Sequence, residues 1–423
     1  MQRPNRARPL WRGLGAGRWR PAAYVAIALV FYGAGAGTGW LIATTSGRTE
    51  PAPARAVAPL LWQVWNLADA HYVDPSALNP QKLIYGAIQG MLSSLGDTDH
   101  TRFLTPADVQ QENSQLAGHF VGIGIQVNLK DGRPVVVAPL PNSPAQKAGV
   151  EAGDVILDVN GHDTAQLTLT QLSADIRGPA GSAVSLMILR PKEQHTFTVM
   201  IARAAITVPA VDAHEFEVNG KSLIHIHVVQ FSQQADAQLR AALQTANGDH
   251  VSGIILDLRD NPGGLLDQTI AVTSEFLTTG NVLLEQNRDG TKHPDPVKPG
   301  GLAPTTPLVV LLNQGTASAA EITAGALQDQ KRGTLVGATT FGTGTVLGTY
   351  TLSDGSEVLL GTQEWLTPDG HLIWHHGITP DQVVTLPDNV SPTYPDSESG
   401  LTGAQIASGA DTQLARAVTD LGG

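Results

Sequence analysis

From residue 223 onward the chain alternates between two hydrophobic periods. LIHIHVV at 223–229 reads as a strand. Residues 233–246 repeat apolar positions at helical spacing, and 253–258 is a short unbroken apolar run of the kind found in buried strands. Residues 265–277 are again helical, 307–312 is a second buried strand, and a turn of small residues leads into a helix at Ser318. Strands that alternate with helices predict an α/β core with a mixed, partly parallel sheet. Sites in such sheets lie off the carboxyl ends of the strands, which singles out two loops, 259–264 (RDNPGG) and 314–319 (QGTASA).

Upstream the pattern changes. Residues 60–104 carry apolar positions at helical spacing, with Leu61, Val64, Trp65 and Leu67, then Leu83, Ala87, Ile88 and Met91. Residues 21–47 hold no charge, and their apolar centre over 22–43 predicts a helix roughly 33 Å long, enough to cross a hydrocarbon core of about 30 Å. Six arginines and no acid occupy the first twenty residues. Basic flanks stay cytoplasmic, so the expectation is an uncleaved single-pass anchor with the rest of the chain outside the cytoplasm, the alternative being a cleaved signal peptide, whose apolar region is usually shorter, about 7–15 residues. Gly33, Gly35, Gly37 and Gly39 give the small-residue spacing that pairs membrane helices, one route to a homo-oligomer.

Charge and composition narrow the chemistry. The net charge is −12 although the first twenty residues are basic, so the body is strongly acidic, which argues against nucleic-acid binding. The chain has no cysteine, which removes thiolate nucleophiles, disulfides and zinc–cysteine sites. Asp97, Asp99 and His100 cluster, but such residues also make turns and caps. HLIWHH lacks the spacing of a zinc-protease helix, so no metal and no cofactor is expected.

Ser318 is the leading candidate for chemistry. It stands at a helix start, where backbone N–H groups are unpaired and favour developing negative charge. With Glu321 three residues on it also forms a capping box, a purely structural reading. The surrounding run, TASAAEI followed by AGALQD, KR, TFG and ITPD, resembles the carboxyl-terminal processing (tail-specific) serine proteases. That resemblance, spanning about 60–384, implies a protease core of crotonase- and Clp-like ββα units with Ser318 as nucleophile. It places the family's lysine base at Thr343, in TFGTG, and the glutamine that orients it at Leu347. DLRDNPGGLL matches the loop that supplies part of the oxyanion hole, so the amides of Gly263 or Gly264 and of Ala319 are the expected donors. With no lysine at 343, His375 or His376 is the candidate alternative base. Lys331 lies thirteen residues along one helix, roughly 20 Å away, and is excluded.

Residues 118–204 resemble a PDZ domain through FVGIGIQV, SPAQKAGVEAGDVILDVNG and IRGPAGSAVSL. Gly122 and Gly124 let amides converge on a carboxylate, Ile123 and Ile125 line an apolar pocket, and Leu169 and Leu172 close it. A protein C-terminus then adds as a strand. The expected organisation is a basic arm (1–21), an anchor (22–45), a linker (46–59), a helical region (60–112), a PDZ-like domain (113–204), a protease-like core (205–386) and a tail with a short closing helix (387–423). The expected function is PDZ-guided cleavage of protein C-terminal regions outside the cytoplasm. The alternative is a pseudoprotease that only captures protein C-termini.

Overall fold

A computed structural model describes residues 52–97, 100–130, 132–140, 143–165, 167, 169–191, 193–248, 250–387 and 390–422. The expected anchor at 22–45, its glycine spacing and Asp99 lie outside the described residues. Among the described residues no helix is long and apolar enough to cross a membrane. The chain divides into two units, up to Leu83 and from Ile84. In the first, the stretch read as a linker is helical from Ala52 to His71. Its alanines favour helix, and Pro59 is carried inside it at the loss of one intrahelical N–H bond.

The second unit contains the α/β core. Its six-stranded sheet runs in the order Val211–Val218, Lys221–Val228, Gly253–Asp257, Leu308–Leu312, Thr334–Gly337, Gln382–Val383. The first pair is antiparallel and the others are parallel. Gly253–Asp257 and Leu308–Leu312 are buried at every position, which is why they read as unbroken apolar runs rather than alternations. Helices Ala235–Gly248, Leu266–Ser274 and Ala319–Asp329 supply apolar residues to the main core cluster, with Ile254, Leu256, Val310 and Leu312 from the sheet. The opposite face, with Ile255, Val309 and Leu311, packs on the closing helix Thr412–Asp420.

A second sheet joins Arg102–Leu104, Glu357–Leu366, Asn281–Gln286 and Lys292–Pro296, with Thr345–Thr351 also paired to Glu357–Leu366. Chain segments far apart in sequence, Arg102–Leu104 and Glu357–Leu366, thereby become antiparallel neighbours. The segment after 118 forms its own antiparallel sheet, in the order Ile125–Lys130, Arg133–Pro139, Val155–Val159, Ala183–Arg190, His195–Ala202, around a separate core.

Candidate active site and peptide pocket

The two strand-end loops are stapled to each other. Asn313 Nδ2 donates to Asp260 Oδ1 at 2.8 Å, while Asn313 Oδ1 accepts from the amides of Asp260 and Gly315, each at 2.9 Å. Thr316 Oγ1 donates to Leu258 O at 2.8 Å, and the Ala317 amide to Asn261 O at 2.9 Å. These bonds close the small-residue turn and deliver Ser318 to the head of helix Ala319–Asp329.

Ser318 has φ 54° and ψ −119°, a left-handed conformation that costs a non-glycine residue about 1–3 kcal/mol. The helix behind it is buried without interruption from Ala319 to Leu327, so its packing holds the turn in place. Gly263 closes from the other side. A Cβ there would stand 2.7 Å from Ser318 Cβ and 3.0 Å from the Ala319 nitrogen, so only glycine fits. The sequence left open which glycine amide faces the serine. The Gly263 amide is taken by Asn261 Oδ1 at 2.8 Å. The amides of Gly264 and Ala319 have no acceptor among the described residues.

Glu321 does more than cap the helix. Its Oε2 accepts from the amides of Ser318 (2.9 Å) and Thr343 (2.8 Å), and its Oε1 from the Gly342 amide (2.7 Å) and Thr340 Oγ1 (2.5 Å). One fully buried carboxylate thus fastens the nucleophile turn to the loop that carries position 343. Burial pushes Glu321 above the usual carboxylate range, more than the four hydrogen bonds pull it down. Its four acceptor sites are engaged, so taking a proton from Ser318 would break one of these hydrogen bonds.

Ser318, Thr343, Leu347, Phe341, Gly263 and Gly264 line one cleft of about 650 Å³. Position 343 therefore faces the serine's cleft, as the family resemblance implies, but a threonine there cannot serve as a base at neutral pH. His375 and His376 are not brought to this cleft. Both are exposed on the turn that follows Ile373, and the His375 ring stacks on Trp374 with centroids 4.6 Å apart. Their turn meets the 343 loop through its backbone: the His375 amide donates to Gly342 O at 3.0 Å, and the ring stays outside.

His100, which the sequence reading set aside as a turn or cap residue, lines the same cleft. It precedes strand Arg102–Leu104 and comes to the cleft through that strand's pairing with Glu357–Leu366, a contact no local pattern announces. Its Nδ1 lies 2.6 Å from Thr345 Oγ1. Burial, only partly offset by the charge of Asp97, lowers the imidazole to about 4. Asp97 itself accepts from Thr101 Oγ1 at 2.6 Å. Among the described residues no group of three or more metal-ligating side chains assembles.

Behind the glycine loop lies a buried ionic centre. Arg259, fully buried, donates to Asp257 Oδ2 at 2.7 Å and to Asp411 Oδ2 at 2.8 Å, and also to the Thr393 carbonyl. His225 bridges Asp257 and Glu398. Burial alone would raise Asp257, but the Arg259 charge together with the hydrogen bonds from His225 and Arg259 outweighs it and holds the carboxyl below its ordinary range. Burial alone would lower His225, but the two carboxylates raise it on balance. Thr393, Glu398 and Asp411 all belong to the tail at 387–423. It is tied down because these groups complete a buried charge set.

The second cavity, about 370 Å³, is lined by Gly122, Ile123, Gly124, Ile125, Leu172 and Arg177. Strand Ile125–Lys130 is an edge of its sheet. Helix Leu169–Ile176 flanks it, with Leu172 buried. Gly124 has φ 75°, and a Cβ there would meet Ser143 Cβ at 2.4 Å. Gln115 lines both cavities, so they share a wall.

Comparison with known proteins agrees with this geometry. The family model "Peptidase family S41" matches residues 222–384, and "PDZ domain" matches 135–190. The chain is 36% identical over 347 residues to a carboxyl-terminal-processing protease of Synechocystis, covering 78% of this chain and 81% of that one. It is 33% identical to the carboxy-terminal processing protease CtpB of Bacillus subtilis, over 88% of this chain and 78% of the relative. Among solved structures it resembles a photosystem II D1 C-terminal processing protease, with TM-score 0.50 and 30% identity over 78% of this chain and 94% of that one.

Proposed function

The chain belongs to the carboxyl-terminal processing proteases of peptidase family S41, and from that premise we propose that Ser318 is its nucleophile, acting on protein chains whose C-termini are held by the PDZ-like segment. The reading rests most on one observation: Ser318 adopts a strained left-handed conformation at the head of a buried helix, beside two uncommitted amides. Strain of this kind persists where the surroundings over-determine it, and it aims a side chain out of a turn. The amides of Gly264 and Ala319 stabilise the oxyanion that forms when Ser318 attacks a carbonyl, a contribution of about 10²–10³ in rate per donor. The edge strand Ile125–Lys130 and the Gly122–Ile125 turn accept a peptide end, and Arg177 at the same cavity complements its carboxylate.

The uncharged stretch at 22–45 and its arginine-rich flank support a single-pass anchor with the protease outside the cytoplasm. The experiment is labelling of the full chain with a serine-directed fluorophosphonate beside a Ser318→Ala control, together with cleavage of casein. Labelling and cleavage that vanish in the control support the reading. Unlabelled protein that still binds peptides with apolar C-termini makes the chain a receptor for chain ends, the reading favoured by the threonine at 343.

A further inference from the structure

We propose that His100, held by Thr345, is the general base for Ser318, in the place the family gives to a lysine at position 343. The inference rests on Ser318 being the nucleophile. The ring lines the cleft that Ser318 lines, and its Nδ1 is bound to Thr345 Oγ1, two residues beyond the vacated lysine position on the same stretch of chain. The hydrogen bond of the ring is made by Nδ1, and Nε2 has no partner among the described residues. Thr345 Oγ1 also lies 3.5 Å from Asp97 Oδ2, so its proton can turn to the carboxylate while its lone pair accepts Nδ1–H. That tautomer leaves Nε2 as the acceptor a base requires.

The other titratable side chains of the cleft are less suited. Glu112 pairs with Arg102 at 2.8 Å. Glu357 accepts from Thr351 at 3.2 Å, at the far end of the strand pair that begins at Thr345. The groups facing His100 are Asp97 on its own segment, Arg102 two residues on, and Thr345 from the strand opposite. Burial keeps the ring neutral over the whole physiological range.

In the reaction, Ser318 Oγ forms a bond to the scissile carbonyl carbon as its proton passes to His100 Nε2. The carbonyl π pair moves onto oxygen, between the Gly264 and Ala319 amides. When the pair returns, the C–N bond breaks and the imidazolium gives its proton to the leaving amine. Water then repeats the sequence on the acyl-enzyme, losing its proton to Nε2, and Ser318 takes the proton back as the acid product leaves.

The test uses the full chain, casein cleavage and fluorophosphonate labelling. His100→Gln keeps a polar side chain of similar reach but cannot take the proton at neutral pH. It is expected to lower kcat by about 10²–10⁴-fold, with the thermal midpoint of the parent. Adding Thr343→Lys to His100→Gln is expected to recover at least tenfold and to move the acid limb of the pH profile up toward the lysine range. Thr345→Val, a positioning change, shifts the acid limb of kcat/KM, which a merely structural role would not do. His100→Gln with unchanged kcat and an unchanged acid limb overturns the proposal while leaving the Ser318 reading intact. Loss of labelling in no variant, Ser318→Ala included, overturns both. If His100→Gln does not fold, an unshifted acid limb in Thr345→Val overturns the proposal alone.

Discussion

Two buried carboxylate centres stand behind the two halves of the cleft, and they are built on opposite principles. Asp257, behind the glycine loop, is neutralised by a cation: Arg259 grips it and reaches on to Asp411, with His225 bridging to Glu398. Glu321, behind the nucleophile turn, has no cation at all and is satisfied by three amides and a hydroxyl. The first centre binds parts of the chain that lie far apart, so it is a long-range clasp. The second binds the turn to the loop that passes it and sets local geometry at the reacting group. A cation beside Ser318 would hold its own counter-charge in the cleft, whereas neutral donors fix the loops and leave the oxyanion position free of competing charge.

The difference can be broken from either side. The largest effect is expected from Arg259→Met, which strands two buried carboxylates. Removing one partner of a buried ion pair costs about 3–5 kcal/mol, read as a shift in urea midpoint. A loss below 1 kcal/mol would mean that the clasp is ornamental. Glu321→Gln comes next. Its amide nitrogen must face donors, leaving at least one unsatisfied at about 1–3 kcal/mol. Unlike Arg259→Met, it is expected to lower fluorophosphonate labelling in protein that is still folded.

The pH responses have opposite signs and so sharpen the contrast. Asp257 is depressed in the fold, so its stabilisation is present above the ordinary carboxylate pKa and is lost as pH falls through the folded value. Glu321 is raised, so only between the ordinary carboxylate pKa and the folded value does the folded state bind more protons, and stability falls as pH rises through that window. His225 is also raised. Its contribution is full below the ordinary imidazole pKa and lost as pH rises through the folded one. Glu398→Gln is expected to flatten that alkaline loss in a series of urea titrations, and an unchanged slope would separate His225 from it. The smallest effect has the reverse sign. Ser318→Gly removes the left-handed strain and is expected to gain about 1 kcal/mol while abolishing labelling. A destabilised variant would show that the turn is relaxed.

What could be read from the sequence follows from how far each feature reaches along the chain. The buried strands at 253–258 and 307–312 and the helix after Ser318 announce themselves by period, because each is decided by neighbours within a few residues. The Gly122–Ile125 turn was legible for the same reason. Ser318 was visible as a cap, but its left-handed backbone depends on the buried helix behind it and on a glycine packed close on the other side, which no local pattern shows. His375 and His376 drew attention because they sit near the site in sequence, and the turn that carries them faces outward. His100 was read as part of a turn, since only the pairing of Arg102–Leu104 with Glu357–Leu366 carries it to the cleft. Arg259 looked like a loop residue until Asp411 and Thr393 were seen to complete it.

That last contact has a consequence for the order of events in synthesis. Arg259 opens the glycine loop, yet two of the groups that hold its guanidinium are made 134 and 152 residues later, at Thr393 and Asp411. A ribosome that has released the Ser318 helix still holds those residues back. The growing polypeptide therefore carries its nucleophile before it can seat the guanidinium behind the neighbouring loop, and a protease assembled in this order stays unfinished until Thr393 and Asp411 have been made.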